Sequence, residues 1–236
     1  MLSENTRLVL VSQINCLTGW RPRLTTLLNE LSPRGVALLV DGAHAPGQGA
    51  VNIADFPFWV ASAHKWMGAP NGCGFLHVHA QYRHLLQPLT VGDRLYNDAF
   101  GLVQKLEWPG TCDVVKLLGL EAALKLQLQL VPDLTSGRQK QLHLFLRTLI
   151  QNKLPPGTVR TPWVDGETSA LFTIYWSEEQ LLVSDIRDAL WQRHRIWTQP
   201  DFALANPGLG MRISCNVFNT EAELEQLVAA LLTLFR

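Results

Sequence analysis

Residues 56–70 read FPFWVASAHKWMGAP, and the change of character at Ser62 decides what kind of fold the chain adopts. The run before it is aromatic and aliphatic, as in a strand. A serine, a histidine and a lysine follow, then a glycine-bearing exit. A second run, VALLVDGAH at 36–44, is apolar on both faces in the manner of a parallel sheet covered by helices, and it closes on Asp41. Ligands of open α/β sheets gather at the carboxyl ends of the strands. Asp41 and Lys65 are therefore expected on one rim of an α/β sheet that is mainly parallel or mixed.

Outward from this pair, RLVLVSQ (7–13) and GCGFLHVH (72–79) read as further strands. RPRLTTLLNELSPRG (21–35) reads as an amphipathic helix, with proline near its start, leucines at 24, 27, 28 and 31, and glycine after its end. Helices are expected from about Cys112 to Leu130, stopping before Pro132, and from Ser136 to Gln151. The remainder alternates a strand at 167–176, a helix at 184–194, a strand at 212–218 and a helix at 220–235. Thr220 and Glu223 are spaced as a capping box at the start of that last helix. The pattern predicts a larger α/β portion over 1–135 and a small α+β domain over 136–236.

With 236 residues, 47% hydrophobic and 17% charged, the chain can bury a sizeable core. Twenty basic and twenty acidic residues cancel without a run of like charge, which argues against nucleic acid or an anionic membrane as partner. Small molecules or protein surfaces are the expected partners. Cys16, Cys73, Cys112 and Cys215 form no CxxC pair, so buried free thiols are expected rather than a zinc site or a disulfide framework. Neither a signal peptide nor a membrane-length apolar run is read, and a cytoplasmic location is expected.

Three chemistries compete for the rim. SAHK at 62–65 matches the S-x-x-K motif of serine acyl-transfer enzymes, but the S-D-N and K-T-G companions are missing and the serine closes a strand instead of opening a helix. A metal could be drawn between Asp41, His44 and His64, with His77 and His79 nearby on one strand face, yet no HExxH or closed set of four ligands supports it. Pyridoxal phosphate suits the set better: a lysine amine condenses with its aldehyde, an aspartate keeps its ring nitrogen protonated, and a hydroxyl and an imidazole can bind its phosphate.

The stretch VDGAHAPGQGAVNIADFPFWVASAHKWMGAPNGCGFLHV (40–78) resembles the cofactor core of the class V aminotransferases, fold-type I pyridoxal-phosphate enzymes that include cysteine desulfurases and isopenicillin N epimerase-like proteins. The likeness extends to SQINCLTG (12–19), WPGT (108–111) and MRISCNVFNTEAELEQLVAAL (211–231), and so covers nearly the whole chain.

What the resemblance implies is a fold-type I large domain, present in part, with the small C-terminal domain behind it, and a homodimer acting on an amino acid or amine. Lys65 would form the internal aldimine and shuttle protons, and Asp41 would pair with the pyridine nitrogen. His44, where many relatives carry glutamine, would contact the phenolic oxygen. Ser62 and His64 would hold the phosphate, and Thr111 would do so across the dimer interface. Arg212 would hold the substrate carboxylate. DGAHAPG and EWPGT look most like the isopenicillin N epimerase-like branch, with aminotransferase, epimerase or lyase chemistry. A desulfurase needs a mobile cysteine before the carboxylate arginine, and IWTQPDFALANPGLGMR (196–212) has none; Cys112 and Cys215 are expected inside regular elements. Family members also carry, ahead of the SQINCLTG strand, a phosphate-cupping turn and a ring that stacks on the cofactor, neither of which is expected here. The chain is accordingly either an enzyme completed by further polypeptide or a truncated, non-catalytic relative that binds the cofactor weakly.

Overall fold

The computed structural model describes residues 2–49, 52–90, 100–107, 110–130, 132–155, 158–159, 164, 169–175, 183–200 and 210–234. Its contacts separate two compact units, one formed by Met1–Val11, Leu24–Pro46 and Val51–Gln129, the other by Ser12–Arg23, Gly47–Ala50 and Leu130–Arg236.

In the first unit a four-stranded sheet runs in the order β1 (Leu8–Ser12), β2 (Ala37–Asp41), β3 (Phe58–Ser62), β4 (Gly74–Val78). β2 and β3 are parallel with Asp41 opposite Val60, whereas β3 and β4 are antiparallel, so the sheet is mixed. Helix α1 (Leu24–Leu31) buries Leu24 and Leu31 and gives way to a 3-10 turn at Ser32–Arg34. Gly35 closes that turn at φ 66°, a left-handed conformation that glycine adopts without a Cβ penalty, and its N–H returns to Ser32 O. The chain then enters β2, whose Leu38 and Val40 are fully buried.

The strand stops at Asp41, where Asp41 Oδ1 accepts the Ala43 N–H at 2.9 Å and bends the chain into a turn. Beyond β4, a 3-10 helix at Ala80–Leu85 and a short helix α2 (Leu102–Glu107) are additions that their weak periodicity did not announce. Helix α3 (Val114–Gln129) follows, leaving Val115 75% and Leu128 82% exposed.

The second unit contains α4 (Pro132–Lys153), β5 (Leu171–Tyr175), α5 (Val183–His194), β6 (Gln199–Pro200), β7 (Gly210–Ser214) and α6 (Glu221–Leu234). The strands form an antiparallel sheet in the order β5-β7-β6. Leu142, Leu146 and Ile150 of α4, Phe172 and Ile174 of β5, and Leu227 and Leu231 of α6 belong to its core, which explains the helical and strand spacing of apolar residues in this half.

Pro132, expected as the stop after α3, is the first residue of α4: proline lacks the N–H that a first helical residue does not need. α6 carries the expected capping box, with Thr220 N–H to Glu223 Oε2 at 2.9 Å and Glu223 N–H to Thr220 Oγ1 at 3.3 Å. The cysteines depart from expectation. Cys112 lies just before α3 and is half-buried, Cys215 lies one residue past β7, and Cys16 is exposed in a turn; only Cys73 and Cys215 are buried. Glu167, Thr168 and Trp176 of the predicted 167–176 strand, and residues 201–209 of the cysteine-free stretch, lie outside the described residues.

Candidate cofactor site at the β2–β3 rim

Two parallel neighbours ending together create the rim. Asp41 is the last residue of β2 and Ser62 the last of β3. Gly42 continues the ladder with its N–H on Val60 O at 2.7 Å, and a Cβ there would collide with the Trp59 indole, so the close approach requires glycine. The Asp41 turn, closed by Ala45 N–H to Gly42 O at 2.8 Å, carries His44 above the strand ends.

After Ser62 the chain curls on itself: Ala63 N–H bonds Cys73 O at 2.9 Å and Ala69 N–H bonds Ala63 O at 3.1 Å. Ala63, Trp66 and Met67 face inward, and Ala63 and Met67 join a small core with Ala69, Cys73 and Ala123. Lys65, between half-buried His64 and buried Trp66, is turned out to solvent.

His44 joins the two loops. Its Nε2 lies 3.2 Å from Lys65 Nζ, and its Nδ1 accepts the Trp66 indole N–H at 3.2 Å. His64 is half-buried, and its Nδ1 is enclosed without a hydrogen-bond partner among the described residues. A buried polar atom in that condition is costly and calls for an explanation. Asp41, His44, Ser62, His64 and Lys65 thus all sit on the loops and strand ends of one rim.

Thr111 is elsewhere on the first unit, exposed in the turn that follows Gly110 and precedes α3. No hydrogen bond joins it to the rim among the described residues, and Trp108 and Pro109 of its motif lie outside them. Arg212 belongs to the second unit. It is half-buried on β7 opposite Thr173, its Nη1 donates to Cys16 O at 3.1 Å, and its Nε is buried without a hydrogen-bond partner among the described residues. Sequence reasoning missed Trp66. The only trace was an aromatic residue next to the lysine, and nothing local reveals that the loop turns its indole back onto His44.

The competing chemistries find little support. Ser62 ends a strand, contrary to the helix-opening serine of S-x-x-K enzymes. No group of three or more His, Cys, Asp or Glu side chains that could hold a metal occurs among the described residues. His79, drawn into the hypothetical metal set, accepts the Gln81 N–H through Nδ1 and caps the 3-10 helix that follows β4.

Comparison with known proteins accords with this geometry. Isopenicillin N epimerase from Streptomyces clavuligerus is 31% identical over 245 residues, which cover 98% of this chain and 61% of the epimerase. Cysteine desulfurase CsdA from Escherichia coli (strain K12) is 25% identical over 98% of this chain and 59% of its own length. The fold matches the cystine C-S lyase C-DES, solved with glycine covalently linked to its PLP cofactor, at a TM-score of 0.85 and 23% identity, over 98% of this chain and 61% of that one. The chain therefore spans about three fifths of the length of the relatives it matches. No helix among the described residues is long and apolar enough to cross a membrane. Residues 1–227 match the family described as aminotransferase class-V, and the chain belongs to that family.

Proposed function

We propose that this chain carries the lysine-bearing wall of a pyridoxal-phosphate site and acts, within a class V aminotransferase-like enzyme, on an amino acid or amine. The observation that carries the reading is the rim itself: Lys65 is exposed beside His44 at 3.2 Å, with Asp41 and the unpartnered His64 Nδ1 on the same strand ends. When bound, pyridoxal phosphate supplies an electron sink for a substrate carbanion.

The residues divide the work. Lys65 holds the cofactor covalently and moves a proton at its Nζ. Asp41 would pair with the ring nitrogen and favour its charged form. His44 donates to the phenolic oxygen, while Ser62 and His64 take the phosphate. Arg212, whose Nε has no hydrogen-bond partner among the described residues, takes the substrate carboxylate. Thr111 reaches the phosphate of a second copy in a homodimer, a reading supported by the apolar surface of Val114, Val115, Leu117 and Leu118 directly after it. The same reading places the enzyme in the cytoplasm, with a small amino-acid-like substrate and without nucleic acid or membrane, and keeps 1–135 and 136–236 as its two domains.

Epimerase, aminotransferase or lyase chemistry of the isopenicillin N epimerase-like branch is favoured over desulfuration, because residues 196–212 contain no cysteine. The test is a titration of the purified chain with pyridoxal phosphate, followed by absorbance and by mass spectrometry after borohydride reduction. Cofactor mass on Lys65, absent in Lys65→Ala, is expected. No adduct, or an adduct indifferent to that substitution, would leave the non-catalytic relative as the better reading.

A further inference from the structure

The β5-β7-β6 sheet turns one face to the core of the second unit and the other away from it. Phe172 and Ile174 of β5 and Met211 and Ile213 of β7 face the core, and Thr198 reaches the same side, its Oγ1 donating to Met211 Sδ at 2.8 Å. Side chains alternate along a strand, so Thr173, Arg212 and Gln199 point to the opposite face. The register sets them in one row, with Arg212 of β7 opposite Thr173 of β5 on one side and opposite Gln199 of β6 on the other. Directly opposed residues of antiparallel strands bring their Cβ atoms to about 5 Å.

The two neighbours of Arg212 differ. Thr173 is fully buried, and its hydroxyl is committed to Leu17 O. Gln199 is half-buried, and its amide makes no hydrogen bond among the described residues. Arg212 gives Nη1 to Cys16 O, a neutral acceptor, and has no ion pair among the described residues. Its Nε is enclosed, so Nη2 is the guanidinium nitrogen left with both protons to offer. A half-buried guanidinium without a counter-charge favours an anionic ligand. A carboxylate held there has further lone pairs to satisfy, and the cross-strand neighbour on the less buried side of the row is the Gln199 amide.

We propose that Gln199 is the second donor of the carboxylate site: its side-chain amide, set beside Arg212 by the β6–β7 register, donates an N–H to the carboxylate that Arg212 holds by charge. Being neutral, Gln199 adds this bond without competing for the guanidinium. A glutamate in its place would take Arg212 as an ion pair. The role deepens the proposed function and rests on Arg212 taking the substrate carboxylate.

N-acetylglycine tests the role without cofactor, because it offers a carboxylate and no free amine to condense with an aldehyde. The purified chain, labelled with nitrogen-15, is titrated with it and followed by proton–nitrogen NMR. Arg212→Lys identifies the arginine side-chain signal, and Gln199→Leu or Gln199→Glu the amide signal. Both signals are expected to move with the same half-saturating concentration, and N-acetylglycinamide, which lacks the charge, should move neither. Gln199→Leu should raise the half-saturating concentration read on Arg212 about fivefold. Gln199→Glu should abolish the response.

In Gln199→Leu the Arg212 signal of the free chain should stay in place, since Cys16 O orients the guanidinium. A displaced signal would mean that Gln199 acts by packing against Arg212, and would overturn the role. A moving Arg212 signal with a still Gln199 amide, or an unchanged half-saturating concentration in Gln199→Leu, would also overturn it and leave the Arg212 site standing. A still Arg212 signal in the unaltered chain would remove the carboxylate from Arg212, and with it both this role and that part of the proposed function. Should a variant not fold, the paired movement of the two signals in the unaltered chain decides.

Discussion

Thr173 and Arg212 face each other across the β5–β7 pair, and both side chains end on backbone carbonyls of the same turn. Thr173 Oγ1 donates to Leu17 O at 2.6 Å and Arg212 Nη1 donates to Cys16 O at 3.1 Å. The turn is closed from within by Asn15 Oδ1, which accepts from Leu17 N and Thr18 N. The arginine assigned to the substrate carboxylate is therefore oriented by a turn nearly 200 residues earlier in the chain, at a sequence separation of 196.

Thr173→Val keeps the shape of a fully buried residue and removes its donor, leaving Leu17 O without that bond. A loss of about 1–2 kcal/mol in unfolding free energy is expected in urea denaturation. The slope with denaturant should stay the same.

Gly19→Ala should be far more damaging. Gly19 has φ +72°, and an added Cβ would run into Leu171 O, a backbone atom of β5 that cannot swing aside. We expect a loss of about 3 kcal/mol or more, or failure to fold, by thermal unfolding monitored by circular dichroism.

His143 contributes to the pH dependence of the second unit. Burial, and then the neighbouring Arg147 charge, push its imidazole down to about 3, and the ring lies edge-on to Phe172 at 4.7 Å. Its folded value is below its unfolded value of 6.5, so the unfolded chain gains a proton first as pH falls. The contribution is fully present above pH 6.5 and is lost progressively down to about pH 3, by at most about 5 kcal/mol. Urea unfolding at several pH values should show this slope, and His143→Leu should flatten it.

The four thiols should react in an order set by exposure. Cys16 is exposed, whereas Cys215 is fully buried and burial pushes its thiol up to about 12. Alkylation of the folded chain, mapped by mass spectrometry, should label Cys16 first and Cys215 only on unfolding. Early labelling of Cys215 would contradict the packing of the second unit.

His64→Ala should weaken pyridoxal phosphate about tenfold and leave pyridoxal, which has no phosphate, unaffected. Equilibrium titrations with the two aldehydes make the comparison. Equal loss for both would remove His64 from the phosphate site.

Much of this was legible in the residues. The apolar runs ending at Asp41 and Ser62 announced two strand ends on one rim, because strand periodicity and burial are local properties of a few consecutive side chains. Less was legible where partners lie far apart along the chain. Segments 12–23 and 47–50 group with the second unit through contacts such as Ala170 N–H to Gln48 Oε1 at 3.0 Å and Ser169 N–H to Gly19 O at 3.0 Å, which no window of sequence contains.

By itself, then, the sequence determined the kinds of side chain at the rim, their family likeness, and the strand and helix order that brings them there. Tertiary structure alone decided which nitrogen of His44 meets the lysine, that Trp66 occupies the other, that His64 Nδ1 is enclosed without a partner among the described residues, and which carbonyl orients Arg212. The physical reason is the difference in range. Apolar patterning acts over neighbouring residues, whereas a hydrogen bond is satisfied only when donor and acceptor meet within a few tenths of an ångström, a condition set by how whole loops and strands pack.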